Sequence, residues 1–182
     1  MDNKGLMICV LGIALGLGQT AAAVAASKAE IDAEVREAID SFYKQTSAGK
    51  QLAQKAAGML VFPKVIKAGI GIGGEYGEGA LLVKDRTAAY YNIAAASIGF
   101  QLGAQFRSQI ILFMNQKVLE DFRRSKGWQA GVDGSVALAT LGAGGEISTD
   151  TIKEPIIGFI FSNKGLMYNL TFEGTKITRI ER

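Results

Sequence analysis

The chain has 182 residues, enough for one domain with a hydrophobic core, and a formal net charge of +3 at pH 7. It contains no histidine and a single cysteine, Cys9. This composition excludes Ser-His-Asp and Cys-His catalysis and imidazole metal sites, and the modest charge argues against a nucleic-acid-binding protein.

The first 26 residues are typical of a cleaved secretory signal peptide. An apolar run from Leu6 to Leu17 is followed by small residues from Thr20 to Ser27, which signal peptidase requires at its cleavage site. An uncleaved membrane anchor is the alternative, although the run is shorter than the ~20 residues that span a bilayer. We therefore expect a signal peptide at residues 1–26, one domain at 27–182, and a periplasmic or secreted protein that associates with membranes.

Two helices are predicted at the start of the domain. From Lys28 to Tyr43, apolar residues recur every three or four positions, the pattern of an amphipathic helix. A second helix should begin at an N-cap, Ser47, and be stopped by Gly58, and it cannot run past Pro63, because proline cannot continue a helix. Its expected apolar stripe consists of Leu52, Ala56, Met59 and Leu60.

Beyond Pro63 the apolar period changes to two, which predicts strands. The alternation is clearest from Ile98 to Arg107 and recurs from Val132 to Leu138, and one helix is expected at Gln116–Ser125. The other strand candidates are Ala80–Val83, Ala88–Ile93, Ile110–Met114, Ile156–Phe161, Leu166–Phe172 and Lys176–Ile180. This order predicts an α+β fold, in which N-terminal helices pack on a Gly-rich, strongly curved antiparallel β-sheet or closed barrel.

The stretch Gly69–Glu75 reads GIGIGGE and contains the G-x-G-x-x-G fingerprint of dinucleotide sites. Such a site requires a helix directly after the glycines, but residues 75–79 are poor helix formers and include two carboxylates. We therefore expect no nucleotide and no other cofactor. Glycines at alternate positions of a strand instead allow a backbone to approach closely or a sheet to bend, and Gly142–Glu146 repeats the pattern.

Several carboxylates are candidates for acid–base or cation-binding groups. Their spacing in the sequence does not match that of any such site, and no serine or threonine has an evident base. We therefore predict neither an enzyme nor a metal site. The residues concerned are Glu75, Glu78, Asp133, Glu146 and Asp150.

The placement of the cations is more informative. Between Asp40 and Glu75 the chain contains lysines but no acidic residue, and three further cations precede the only tryptophan. Cations beside an amphipathic helix or a tryptophan are typical of surfaces that meet anionic membranes, at about 1 kcal/mol each. The alternative is an ordinary solvated face, with Trp128 in the core. The candidate lipid-binding residues are Lys50, Lys55, Lys64, Lys67, Arg123, Arg124, Lys126 and Trp128.

Many short segments, in the same order, resemble the SYLF domain, and the likeness covers roughly residues 31–180. The matching segments are Leu60–Gly69, Gly71–Gly79, Tyr90-Tyr91, Gly99–Gln105, Leu112–Met114, Gly127-Trp128, Gly131–Asp133, Gly142–Gly145, Gly165–Met167 and Glu173–Ile177.

The resemblance implies a non-catalytic, lipid-binding module. Eukaryotic relatives bind phosphoinositides and, in yeast, bundle actin, and their N-terminal helical region and its basic residues are implicated in membrane contact. The corresponding region here is residues 28–57 with the nearby lysines. With its predicted signal and no second domain, this chain resembles stand-alone bacterial exported members, so the expected ligand is anionic phospholipid and actin is not an expected partner. An envelope scaffold or adaptor that binds a protein through its Gly-rich sheet is the alternative.

Overall fold

The computed structural model describes residues 26–99, 105–140, 147–162, 165–167 and 170–182. The predicted signal peptide, apart from its last residue, and the repeat Gly142–Glu146 lie outside the described residues. In the described part of the chain, every helix is too short or too polar to cross a membrane.

The two predicted N-terminal helices are present. Helix α1, Lys28–Gln45, begins with a capping box in which the Ser27 hydroxyl accepts from the Glu30 N–H and the Glu30 carboxylate accepts from the Ser27 N–H. Helix α2 is Ser47–Lys55, and its N-cap is Thr46 instead of the predicted Ser47, because the Thr46 hydroxyl accepts from the Gly49 N–H at 3.0 Å. Of the apolar face predicted for α1, Ile31, Val35, Ala38 and Phe42 are buried and Ile39 is partly buried.

The rest of the domain is a curved sheet of short and long strands with two more helices. Its elements, within the described residues, are β1 Gly58–Val83, β2 Arg86–Gly99, β3 Gln105–Phe113, α3 Gln116–Arg124, β4 Trp128–Gln129, β5 Ala137–Leu138, α4 Thr149–Lys153, β6 Ile156–Ser162, β7 Gly165–Leu166 and β8 Lys176–Ile180. The strand order is β4-β8-β2-β1-β3-β6-β5, β7 pairs with β6, and every pair is antiparallel except β5 with β6. The α+β prediction, with helices packed on a strongly curved sheet, is confirmed, and the sheet has the form of a half-barrel.

Strand β1 folds back on itself. A straight strand of its 26 residues would be about 85 Å long, yet Gly77 and Gly79 lie against the backbone of Lys64 and Val61. A Cβ atom at Gly77 would lie 2.8 Å from the Lys64 carbonyl oxygen, and one at Gly79 would overlap the Val61 carbonyl oxygen. Contact between residues so far apart requires a bend near residue 70, so the first half of β1 pairs with β3 and the second half with β2.

The segment GIGIGGE lies within this bent strand, in antiparallel register with β2, and strand rather than helix follows it. This segment therefore lacks the strand-to-helix turn on which a dinucleotide would sit. A glycine-dependent close approach was predicted at Gly69, Gly71 and Gly73, and this stays a prediction. Among the glycines whose surroundings the structure describes, Gly77 and Gly79, a few residues further along, lie against another stretch of backbone.

The sheet separates two hydrophobic clusters. Successive residues of β3 alternate between them, since Ile110 and Leu112 contact the cluster under α1 and α2, whereas Ile111 and Phe113 contact the cluster under α3. The same alternation explains why Met59 and Leu60 are strand residues and not the helical residues that were predicted. Met59 and Leu60 face opposite clusters. Neighbouring residues of a strand point to opposite faces, whereas neighbouring residues of a helix do not.

Other predicted strands need correction. Val132 was expected in a strand but lies, 74% exposed, in a turn where the Gly131 N–H donates to the Gly134 carbonyl at 2.9 Å. The predicted strand Ile98–Arg107 lies partly outside the described residues, and its ends belong to β2 and β3. Of the predicted strand Leu166–Phe172, Leu166 lies at the end of β7, and the other described residues, 167 and 170–172, lie outside any strand.

We expect Gly79→Ala to lower the free energy of unfolding by about 3 kcal/mol, because the new methyl group would overlap a backbone carbonyl that cannot move aside. Gly74→Ala is the matched control, since a methyl group at this exposed position would lie 3.6 Å from its nearest neighbour, an ordinary contact. Urea unfolding monitored by circular dichroism measures both. Equal stability of the two variants would contradict the proposed close approach.

Candidate functional site

The bend of β1 forms one end of the sheet, which we call the tip. It consists of residues 66–76 of β1, residues 94–99 of β2 and residues 105–106 of β3. Register brings these segments together, because Lys67 pairs with Gln105 and Gly71 pairs with Gly99.

Charged residues lie inside the tip. The Arg107 guanidinium binds the Glu75 carboxylate, and Lys67 Nζ lies 3.7 Å from the other carboxylate oxygen of Glu75. Only 5% of the Arg107 side chain and 11% of the Glu75 side chain are exposed. Lys67, a predicted lipid-binding residue, is therefore part of an ion-pair cluster that joins the two halves of β1 to β3.

Apolar residues lie on the outside of the tip. Ile66 and Phe106 are cross-strand partners and are 38% and 55% exposed. Lys64 Nζ lies 5.3 Å from the centroid of the Phe106 ring, and Tyr76 is exposed on the second half of β1. The tip therefore presents apolar and aromatic side chains beside an exposed lysine.

The predicted cations Lys50 and Lys55 lie elsewhere, on α2. Both are exposed, and Lys50 Nζ lies 5.6 Å from the centroid of the Tyr43 ring. This helix precedes β1 and contributes no residue to the tip.

The second predicted cluster lies on the other face of the sheet, at the end of α3. Arg123, Arg124 and Lys126 are exposed, and Arg124 Nη2 lies 2.7 Å from Asp121 Oδ1. Hydrogen bonds from Lys117 and Arg124 hold the pKa of Asp121 below its ordinary value, so Arg124 already has a carboxylate partner. The eight predicted residues thus lie in several places and do not form one surface.

Trp128 lies in the core. It is 4% exposed, and its ring meets the Phe122 ring edge-on with centroids 5.9 Å apart. This is the alternative considered for it from sequence, and it means that the indole is not part of the exposed cationic surface.

Three of the candidate carboxylates, Glu75, Glu78 and Asp133, have structural partners. Glu78 binds Arg182 and accepts a hydrogen bond of 2.8 Å from the Tyr76 hydroxyl, and burial together with that bond raises the pKa of Tyr76. Asp133 accepts from the Gln129 N–H at 2.7 Å, and Asp150 lies in the first turn of α4. Glu146 lies outside the described residues. Within the described ranges, no three such groups come close enough to hold a metal ion.

A groove of about 390 Å³ runs between α1 and the tip. Glu34 and Glu37 line its α1 wall, and Lys64 and Phe106 line the opposite wall. The groove therefore divides an acidic helix surface from the cationic and apolar surface of the tip.

The exposed apolar residues of the tip were missed from sequence. Phe106 was assigned to the buried side of an alternating strand, whereas the ring is more than half exposed. The sequence does contain a signal for this exposed apolar surface. No charged residue occurs between Lys67 and Glu75 or between Arg86 and Arg107.

We expect Glu75→Gln to lower the free energy of unfolding by about 3 kcal/mol, because it leaves the buried Arg107 guanidinium without its counter-ion. Asp121→Asn removes two exposed ion pairs of α3 and serves as the control, with little expected change in the unfolding midpoint. Denaturant unfolding at neutral pH checks both. An unfolding midpoint that is the same for Glu75→Gln as for the unmodified chain would contradict the structural role.

A search of curated proteins finds no match. Residues 94–181 match the model of a family described as "Ysc84: Las17-binding protein actin regulator". This family is associated with lipid and actin binding and is generally non-catalytic. Residues 94–181, which include the end of β2 and the start of β3 at the tip, therefore form a Ysc84/SYLF domain region.

Proposed function

We propose that this protein is a non-catalytic lipid-binding protein that associates peripherally with anionic phospholipid membranes in the bacterial envelope. The observation that carries the proposal is the set of exposed lysines in the acid-free segment between Asp40 and Glu75. Lys50, Lys55 and Lys64 would attract anionic headgroups, and exposed apolar side chains near Lys64 supply a surface for shallow contact with lipid. Membership of a family associated with lipid binding supports the same conclusion.

The envelope location rests on the predicted signal peptide at residues 1–26. Because the predicted location is the bacterial envelope, we do not extend the family's association with actin to this chain.

A protein partner is the second candidate, with the chain as an envelope scaffold or adaptor. It is supported by β2, whose residues 95–99 pair with β1 and, among the described strands, with no strand on the other side. An unpaired edge with small side chains accepts a strand of another chain. Partners that remain bound after delipidation in an envelope pull-down would favour this candidate.

We expect the purified protein to co-sediment with vesicles of phosphatidylglycerol or cardiolipin at low salt and to be released at high salt, because counter-ions screen the exposed lysines. Phosphatidylcholine vesicles are the control and should retain much less protein. Equal binding to the neutral vesicles, or no binding to anionic vesicles at low salt, would contradict the proposal.

Neutralising Lys50, Lys55 and Lys64 with glutamine should each weaken binding to anionic vesicles by about fivefold, which corresponds to about 1 kcal/mol per cation. Arg123→Gln and Lys126→Gln measure the contribution of the cluster at α3. Lys153→Gln, on the exposed surface of α4, is the charge-matched control and should have little effect. An equal effect of all substitutions would show attraction by net charge alone, without a defined surface.

A further inference from the structure

We propose that the tip of the sheet, and not the amphipathic helices, is the part of the protein that enters the lipid layer. Its ligand is the boundary between the headgroups and the acyl chains of an anionic bilayer, with Lys64 at the level of the phosphates. This inference rests on the proposed function and identifies which surface carries the apolar contact.

The helices have little apolar surface left for lipid. The apolar stripe of α1 is buried against the sheet, with Ile31, Val35 and Phe42 each at most 1% exposed, and Leu52 of α2 is buried in the same cluster. The outward surface of α1 carries carboxylates, including Glu37 beside the groove. An approach through α1 would bring these carboxylates against anionic headgroups. A lysine of α2 could attract headgroups, but no exposed large apolar side chain of α2 would enter the lipid beside it.

The tip has the opposite arrangement. Ile66, Phe106 and Tyr76 are exposed, and the smaller Ala68 and Ala96 beside them are exposed as well. The charged side chains of this end of the sheet, Lys67, Glu75 and Arg107, turn inward and pair with one another. Exposed apolar side chains next to paired, buried charges are unfavourable in water and favourable at the boundary of a bilayer.

The charges around the tip select the lipid and the orientation. Lys64 lies beside Phe106, so an inserted ring would place the ammonium group close to the phosphates. The carboxylates of α1 lie across the groove and would remain on the water side.

The backbone sets a limit on depth. Residues 95–99 of β2 pair with β1 on one side only, within the described part of the sheet. Unpaired N–H and C=O groups cannot enter hydrocarbon without a large cost, so the tip should reach the headgroup boundary and go no deeper.

Site-specific fluorescence tests the assignment in the full chain. In a Cys9→Ser background, which removes the only cysteine, a polarity-sensitive fluorophore is attached at Ala68→Cys in the tip, at Gln51→Cys on α2, or at Ala88→Cys near the opposite end of β2, where the side chain is exposed. With vesicles of phosphatidylglycerol and phosphatidylcholine, the Ala68 probe should shift to the blue and be quenched by bromine-labelled acyl chains. The probes at Gln51 and Ala88 should remain unchanged.

The possible outcomes separate the inference from the proposed function. If the protein co-sediments with anionic vesicles but the Ala68 probe is not quenched, the tip assignment is wrong while peripheral lipid binding stands. Quenching at Gln51 or Ala88 overturns the assignment in the same way. If the protein does not bind the vesicles at all, both proposals are wrong.

A substitution experiment gives an independent measurement. Ile66→Ser combined with Phe106→Ser should weaken binding to the same vesicles by about tenfold, because exposed apolar contact is lost without loss of charge. Ile152→Ser removes an exposed apolar residue of α4, close to the end of β6 that pairs with Phe113, and should leave binding unchanged. Thermal unfolding checks that both variants remain folded, and equal binding by the double variant and by Ile152→Ser would overturn the assignment.

Discussion

The close approach between the two halves of β1 is the constraint on which the rest of the structure depends. Gly77 and Gly79 pack on the carbonyls of Lys64 and Val61, and this contact is possible only because no side chain lies between the two backbones. The contact bends a strand that would otherwise run past the end of the domain. It thereby forms the tip, supplies both β2 and β3 with a partner, and places Glu75 where it meets Lys67 and Arg107.

The tip reverses the usual distribution of polar and apolar side chains. In most soluble domains charged groups are exposed and large apolar groups are buried. Here Arg107 and Glu75 are buried as a pair, while Phe106 and Ile66, beside them in sequence or in register, are exposed. The alternation of a strand makes this reversal possible, because neighbouring residues point to opposite faces. A surface of this kind, flanked by Lys64, is suited to a partner that is apolar within and anionic at its boundary.

Local patterns predicted some elements well and others poorly. The buried face of α1, the strand Lys176–Ile180 and the helix after Gln116 follow from periodicity and capping, which act over a few residues. Met59 and Leu60 were misassigned because a strand buried on both faces has a continuous apolar run that resembles a helical stripe. Val132 was misassigned because alternation over a few residues also occurs in a turn held by hydrogen bonds.

The sequence by itself determined the fold class, the family resemblance, the absence of histidine and thiol chemistry in residues 27–182, and the acid-free run of lysines. These properties depend on residue type and on short spacings in the sequence, so they follow from the sequence alone. Only the tertiary structure decided which lysines are free to meet a partner. Lys67 is held by Glu75, whereas Lys64, three residues earlier, is exposed beside Phe106. The difference arises from the bend of β1, which brings residues distant in sequence into contact, and such a contact leaves no local pattern.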